Sequence, residues 1–234
     1  MPVLYVVATP IGNLEDITLR AVRVLGEVQL IAAEDTRTAR KLLNRYSINT
    51  RLTSYFEHNK RMKLPSLLGM LEEQDIALIS EAGMPGISDP GYELIKGAIE
   101  KGFRVEVLPG CSAVTTAIAA SGLAASQFVY LGFLPRKKNE KKNLLMSVRE
   151  EPRAIVCFES PYRVAATLQA ILEVLGDRNI AVCREMTKLH EEIFRGTVSQ
   201  AVGHFAKPRG EFTLVIEGTG EIKKALHKAR DKFN

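Results

Sequence analysis

No apolar run in these 234 residues approaches the ~18 that a membrane-spanning helix needs. Cysteine is scarce: Cys111, Cys157 and Cys183 stand far apart and none belongs to a C-x-x-C pair. They read as reduced and mostly buried, as expected of a cytoplasmic protein. The four histidines, His58, His190, His204 and His227, are scattered, so a protein-bound zinc site has poor support. The start, MPVLYVVATPIGN, lacks a basic lead, and Pro10 and Gly12 cut its apolar stretch short. The expectation is therefore no secretory signal. Neither G-x-G-x-x-G nor G-x-x-x-x-G-K-[ST] follows the first apolar run. A pyrophosphate needs glycine amides and a helix N-terminus, and here Pro10 has no amide to donate, so dinucleotide and ATP-type sites are disfavoured. No Ser-His-Asp or Cys-His pairing is visible, nor any internal repeat or low-complexity tract.

What is present is the composition of a soluble globular protein, long enough for one large or two small domains. Apolar runs predict strands over 3–8, 29–33, 76–80, 104–108, 128–131, 154–158, 180–184, 193–197 and 212–217. Helical patterns fall over 19–25, 37–46, 61–73, 92–101, 113–120, 141–149, 162–175 and 199–205. Thr36, Ser112 and Ser160 with Pro161 stand where helix starts are capped, and Gly102 and Gly176 where helices stop. The fold class is α/β. The first half alternates strand and helix and predicts a mostly parallel sheet. In the second half, HEEIFRGTVSQ and GEFTLVIEG suggest paired strands with fewer helices between them, hence a mixed sheet. The small-residue segment SGLAAS (121–126) reads as a linker. The expected organisation is an N-terminal α/β domain over 1–120, a C-terminal α/β domain over 124–220 with a cleft between the two, and a short basic helical tail over 221–234.

Positive charge is concentrated. Between Thr36 and Lys63 stand Arg37, Arg40, Lys41, Arg45, Arg51, Lys60, Arg61 and Lys63 against one acid, Glu57. That window is net +7 within a chain of net +5, which leaves −2 for the remainder. A polyanion explains the concentration; a solvated helix face explains part of it, because Arg37, Arg40, Lys41 and Arg45 share helical spacing. A second basic run, RKKNEKK (136–142) with Arg136, Lys137 and Lys138, reads either as a mobile phosphate-gripping loop or as an ordinary basic surface loop.

The segment EAGMPGISDPG (81–91) follows a buried strand and holds three glycines and two prolines in eleven residues. That excludes regular structure. At the carboxyl end of a strand in an α/β sheet it suits a ligand, although an ordinary strand-to-helix connection is the plainer account.

Together with TPIGNLEDIT (9–18), EDTR (34–37), PGCSA (109–113) and FESPYR (158–163), this segment resembles the tetrapyrrole methylase superfamily. Within it, the likeness is to the branch that transfers a methyl group from S-adenosylmethionine to a ribose 2′-hydroxyl of 16S ribosomal RNA. The likeness runs from Leu4 to about Gly218. It implies a class III methyltransferase-like fold, S-adenosylmethionine as cofactor, 16S rRNA of the small ribosomal subunit as partner, a decoding-region cytidine as acceptor, and a homodimer. By the same resemblance the cofactor touches Pro10, Glu81, Ala82, Gly83, Ser112 and Ala113, and in the second domain Leu131, Glu159, Met186 and Thr213. Ser112 also reads as a helix cap, and Leu131 and Met186 equally as core. Glu81 stands where the family more often has Asp, Met84 where it has Thr, and Tyr162 where it has His.

Methyl transfer from a sulfonium needs no protein nucleophile, only alignment and a proton acceptor. Candidates for that base, or for orienting the ribose, are Glu34, Asp35, Asp89 and Glu159; Asp35 with Thr36 reads equally as a helix cap. Arg37 and Arg163 suit a phosphate or a cofactor carboxylate. Metal dependence stays open. Two other readings compete: a tetrapyrrole C-methyltransferase, against which the basic window argues, and an RNA-binding module without catalysis, which has no need of two such constrained loops.

Overall fold

The computed structural model describes residues 2–206 and 208–220; the tail expected over 221–234 lies outside them. The chain divides into two compact units, Met1–Ser112 and Ala113–Asn234. No helix among the described residues is long and apolar enough to cross a membrane.

The first unit is a five-stranded sheet ordered β3-β2-β4-β1-β5, with β1 Val3–Val7, β2 Leu30–Ala33, β3 Arg51–Ser54, β4 Ile76–Ile79 and β5 Arg104–Leu108. Every pairing is parallel. Helices α1 Leu19–Glu27, α2 Thr36–Arg45, α3 Lys60–Met70 and α4 Tyr92–Glu100 alternate with the strands. Strand side chains point alternately to the two faces. Ile31, Ala33, Ala77 and Ile79 accordingly join Ala21, Val24 and Leu25 of α1 and Leu42 and Leu43 of α2. Leu30, Ala32, Ile76 and Leu78 join Leu67 and Leu68 of α3 and Leu94 and Ala98 of α4. A sheet covered on both faces needs apolar residues at every position, which is why β2 and β4 read LIAA and IALI and are buried throughout.

The second unit carries a sheet ordered β6-β7-β10-β8-β9, with β6 Phe128–Phe133, β7 Ala154–Glu159, β8 Asn179–Arg184, β9 Glu192–Thr197 and β10 Phe212–Ile216. Only β6 and β7 run parallel; the other pairings are antiparallel. Its helices are α5 Ala113–Ser121, α6 Lys138–Ser147, α7 Val164–Leu175 and α8 Val198–His204. One face buries Ile155, Cys157, Ile180, Val182 and Leu214 under Leu145, Leu168, Ile171 and Val198. Helix α5 packs on β7, β8, β9 and β10.

The two-sheet α/β expectation holds, parallel first and mixed second. Four details differ from the sequence reading. Strand β3 was not anticipated, because RLTS is short and polar and forms an edge with no fully buried residue. The division falls at Ser112–Ala113, before α5 rather than after it, because α5 packs on the second sheet. Strands β9 and β10 do not pair with each other; β8 lies between them. The run 136–142 is not a free loop: Lys138 opens α6, and Lys141 is 7% exposed.

Candidate functional site

In a parallel sheet all strands end on the same edge, and ligands collect there. The carboxyl edge of the first sheet carries the loops that follow β1, β2, β4 and β5, and these hold Pro10, Glu34, Asp35, Glu81, Ala82, Gly83, Asp89 and Ser112. Two of the loops are stitched together. Thr9 and Gly83 exchange backbone hydrogen bonds of 2.9 Å in both directions. Ser80 Oγ donates to Gly83 O at 3.2 Å, and Thr9 Oγ1 to Ser80 O at 3.3 Å. Gly83 is at φ +80, in the region that favours glycine. Its amide is spent on Thr9 and is therefore not a donor for a ligand. At Gly110 a Cβ would sit 2.9 Å from Ala8 Cβ, so the loop after β5 approaches the loop after β1 more closely than any side chain permits.

Of the four acids on this edge, Glu34, Glu81 and Asp89 act on one another. Glu34 is half-buried, and desolvation raises its pKa, partly offset by the Glu81 amide, which donates to Glu34 Oε2 at 3.2 Å. Asp89 is pushed up to about 7, first by burial and then by the charges of Glu34 and Glu81, against a hydrogen bond from Ser80. Glu81 is exposed, with Thr38 Oγ1 at 3.5 Å from its Oε1. Among the described residues no three His, Cys, Asp or Glu side chains are grouped to hold a metal ion.

Asp35 belongs to a different arrangement. Its carboxylate caps α2 by accepting the Arg37 amide at 2.7 Å, and it pairs with the Arg37 guanidinium at 2.8 and 3.2 Å. Those bonds pull its pKa down to about 2. Asp35, not Thr36, is the cap, and its carboxylate is a poor proton acceptor. Further along α2, Ala39, Leu42 and Leu43 face inward while Arg37, Arg40, Lys41 and Arg45 are exposed. Arg45 lies 3.6 Å from Glu15. Arg40 and Lys41 make no ion pair among the described residues. Elsewhere in the basic window Lys60 is held by Glu57 and Glu93 at 2.8 and 2.6 Å. The unneutralised positive charge of this window therefore lies on α2, at the exposed Arg51 and Arg61, and at Lys63, which donates to the Thr53 hydroxyl.

In the second unit, Glu159 ends β7 and is 1% exposed. Its Oε1 accepts the Ser160 amide at 2.8 Å and the Arg163 guanidinium at 2.6 Å. Its Oε2 accepts the Thr167 hydroxyl at 2.6 Å, and Lys141 Nζ stands 3.8 Å away. Lys141 Nζ in turn donates to Thr167 Oγ1 at 2.6 Å. Burial lowers the Lys141 pKa, and Glu159 opposes that shift. An unpaired buried carboxylate would cost several kcal/mol, and Glu159 is met there by two cations and a hydroxyl. Met186 is buried in the turn after β8, and Thr213 is buried within β10 opposite Phe158 and Cys183. Leu131 lies in β6 and packs against the core cluster.

The model of the tetrapyrrole (corrin/porphyrin) methylases matches residues 3–202. A ribosomal RNA small subunit methyltransferase I from Thermotoga maritima is 51% identical over 218 residues, covering 92% of this chain and 98% of that one. The chain belongs to the ribosomal RNA small subunit methyltransferase I family of the tetrapyrrole methylases. A relative of the same name from Bacillus subtilis is 48% identical over 222 residues, covering 94% of this chain and 76% of its own length. Among solved structures, the methyltransferase CobJ has a TM-score of 0.69 at 20% identity, over 94% of this chain and 95% of that one. A uroporphyrin-III-C-methyltransferase from Thermus thermophilus has a TM-score of 0.63 at 18% identity, over 97% and 99%. At such identities these two speak for the fold alone.

Family membership makes the chain a methyltransferase and calls for a methyl donor. On the first sheet's edge the structure gathers most of the residues the sequence pointed to. Ala113, Leu131, Glu159, Met186 and Thr213 lie in the second unit instead, and two of the acids are taken up by partners: Asp35 is tied to Arg37, and Glu159 is enclosed by Arg163, Lys141 and Thr167. Arg163, a candidate clamp, is likewise occupied by Glu159 and by Leu134 O at 2.9 Å. Sequence reasoning missed Thr9 and Ser80, which lock the loops, and Lys141 and Thr167, which hold Glu159. Thr9 and Ser80 flank apolar runs and were legible as strand ends. Nothing local distinguishes Lys141 from its basic neighbours.

Proposed function

We propose that this chain transfers a methyl group from S-adenosylmethionine to the ribose 2′-hydroxyl of a decoding-region cytidine in 16S ribosomal RNA of the small subunit. It works in the cytoplasm as a homodimer. The observation that carries the reading is the 51% identity, over nearly the full length of both chains, to a protein named for that RNA. The exposed cations of α2 agree with a polyanionic partner. They also speak against the tetrapyrrole alternative, which needs no broad basic field.

The residues present suit such a donor. S-adenosylmethionine carries no phosphate, and the loops after β1 and β4 lack a run of glycine amides. Glu81 is exposed and lightly engaged, so its carboxylate is available to a ribose diol. In the first unit Pro10, Ala82, Gly83 and Ser112 are small residues that allow close approach. When bound, the donor supplies an electrophilic methyl and its own leaving group.

The chain's residues then have three tasks. The Thr9–Gly83 bridge holds the loops in one shape, so the acceptor oxygen can be kept about 3–3.5 Å from its target. Arg40 and Lys41, with Arg136, Lys137 and Lys138, hold RNA phosphates. Asp89 accepts the hydroxyl proton. Of the four acids considered it is raised to about 7, where a base is most effective at neutral pH, while Glu34 shapes its field.

Titration calorimetry tests the donor assignment. The wild type binds S-adenosylmethionine, and Glu81→Ala weakens that binding roughly tenfold or more, the worth of one charge-assisted hydrogen bond, with an unchanged melting curve. Equal affinity in the variant removes Glu81 from the site; no binding by the wild type removes the reading.

A further inference from the structure

Strands β6 and β7 are parallel neighbours, so the loops that leave them emerge side by side. Arg163 ties these loops together. Its guanidinium donates to Leu134 O at 2.9 Å and to Ser160 Oγ at 3.3 Å, and it pairs with Glu159 at 2.6 Å. The turn 160–163 is closed from within as well: Ser160 O accepts the amides of Arg163 and Val164 at 3.1 and 3.0 Å. The Ser160 amide donates to the buried Glu159 carboxylate at 2.8 Å. Both ends of this turn are therefore fixed to the core of the unit.

Its tip is Tyr162, 97% exposed. A single exposed aromatic is ordinary on a protein surface. This one differs in two respects. It rides on a turn tied to a buried carboxylate, so the backbone that presents the ring is already ordered. And the carbonyl that Arg163 grips belongs to Leu134, which leads directly into Pro135, Arg136, Lys137 and Lys138. Arg136 and Lys138 are exposed and make no ion pair among the described residues, while Lys137 holds Glu140 at 2.8 Å in an exposed pair. Glu159, the acid in the turn's own foundation, is buried and neutralised, so it does not set a negative charge beside these cations. A solvent-facing ring on a fixed turn, beside cations without ion pairs, has the two elements by which proteins hold unpaired RNA: a stacking surface for a base and charges for the phosphates that flank it.

We propose that Tyr162 is a stacking platform for an unpaired base of the RNA substrate, with Arg136 and Lys138 on the neighbouring phosphates. This rests on the RNA reading above and adds a base contact to it.

The chain has no tryptophan, so Tyr162→Trp provides a single indole reporter at this position. The probe is a short single-stranded pyrimidine oligoribonucleotide, and its binding is followed independently by the anisotropy of a label on the RNA. The expected result is saturable quenching of the indole with the same midpoint as the anisotropy. Tyr162→Ala should raise the RNA dissociation constant roughly tenfold or more, and Tyr162→Phe should leave it near wild type, since stacking needs the ring and not the hydroxyl. S-adenosylmethionine affinity and the melting temperature should be the same in all three. RNA that binds by anisotropy without moving the indole overturns the proposal, as does a Tyr162→Ala protein that binds RNA like wild type. Quenching by uroporphyrin but not by RNA also overturns it. Wild-type protein that neither binds nor methylates RNA is a separate outcome: it defeats the functional reading itself, and this proposal with it.

Discussion

Asp89 shows how a residue's surroundings set both its chemistry and its cost. Burial and two neighbouring carboxylates hold it protonated to about pH 7, well above an ordinary aspartate. The native state therefore binds a proton that the unfolded chain has already released between about pH 4 and pH 7. Stability contributed by that proton is present at low pH and is lost as pH rises through the window. A base that is uncomfortable when ionised is also a ready acceptor. Asp89→Asn is accordingly predicted to lower kcat about a hundredfold or more and to remove a rising limb near pH 7 from the pH–rate profile. It should also make the protein more resistant to urea at pH 8, with donor affinity within about twofold. A variant with normal kcat, or with a pH limb like that of wild type, would reassign the base to Glu34.

At the scale of elements, the site depends on loops brought closer than ordinary side chains allow. Gly110→Ala places a Cβ 2.9 Å from Ala8 Cβ, and a methyl side chain cannot swing away. The expected cost is about 1–3 kcal/mol, read by chemical unfolding, together with weaker donor binding because the loops after β1 and β5 must part. A second prediction concerns α2. Its inward face is Ala39, Leu42 and Leu43, so Arg40→Glu with Lys41→Glu should leave the melting temperature within a few degrees. RNA affinity should fall by at least tenfold, and the dependence of binding on salt should become shallower. An equal loss of donor affinity would show that this face is not the RNA side.

The same elements mark how far the sequence could be read. β2 and β4 were legible because a doubly covered strand is apolar throughout. β3 was not, since an edge strand such as RLTS carries no such signature. The loops holding Pro10, Glu81 and Gly83 were legible from glycine, proline and their place after apolar runs. Which acid does what was not, because that depends on long-range neighbours. Asp35 is neutralised by Arg37 two residues on, but Glu159 is enclosed by Lys141 and Thr167, and Asp89 is raised by burial and then by Glu34, none of them adjacent in the chain.

For the whole molecule, the linker-like SGLAAS drew the expected boundary after α5, whereas packing decided it before α5. A helix belongs to the sheet that buries it, and Ala117 and Val114 are buried with the second unit. Each unit is thus complete as an α/β layer. The first bears the exposed cations of α2, and the second those beside Tyr162. The central claim is that this molecule methylates a ribose of 16S RNA, and one assay tests it most directly. Small ribosomal subunits from cells lacking the activity are incubated with the protein and methyl-labelled S-adenosylmethionine, and the RNA is digested to nucleosides. The account predicts label in 2′-O-methylcytidine from 16S RNA, abolished by Asp89→Asn. Label confined to a base atom, or transferred only to a tetrapyrrole acceptor, would contradict it.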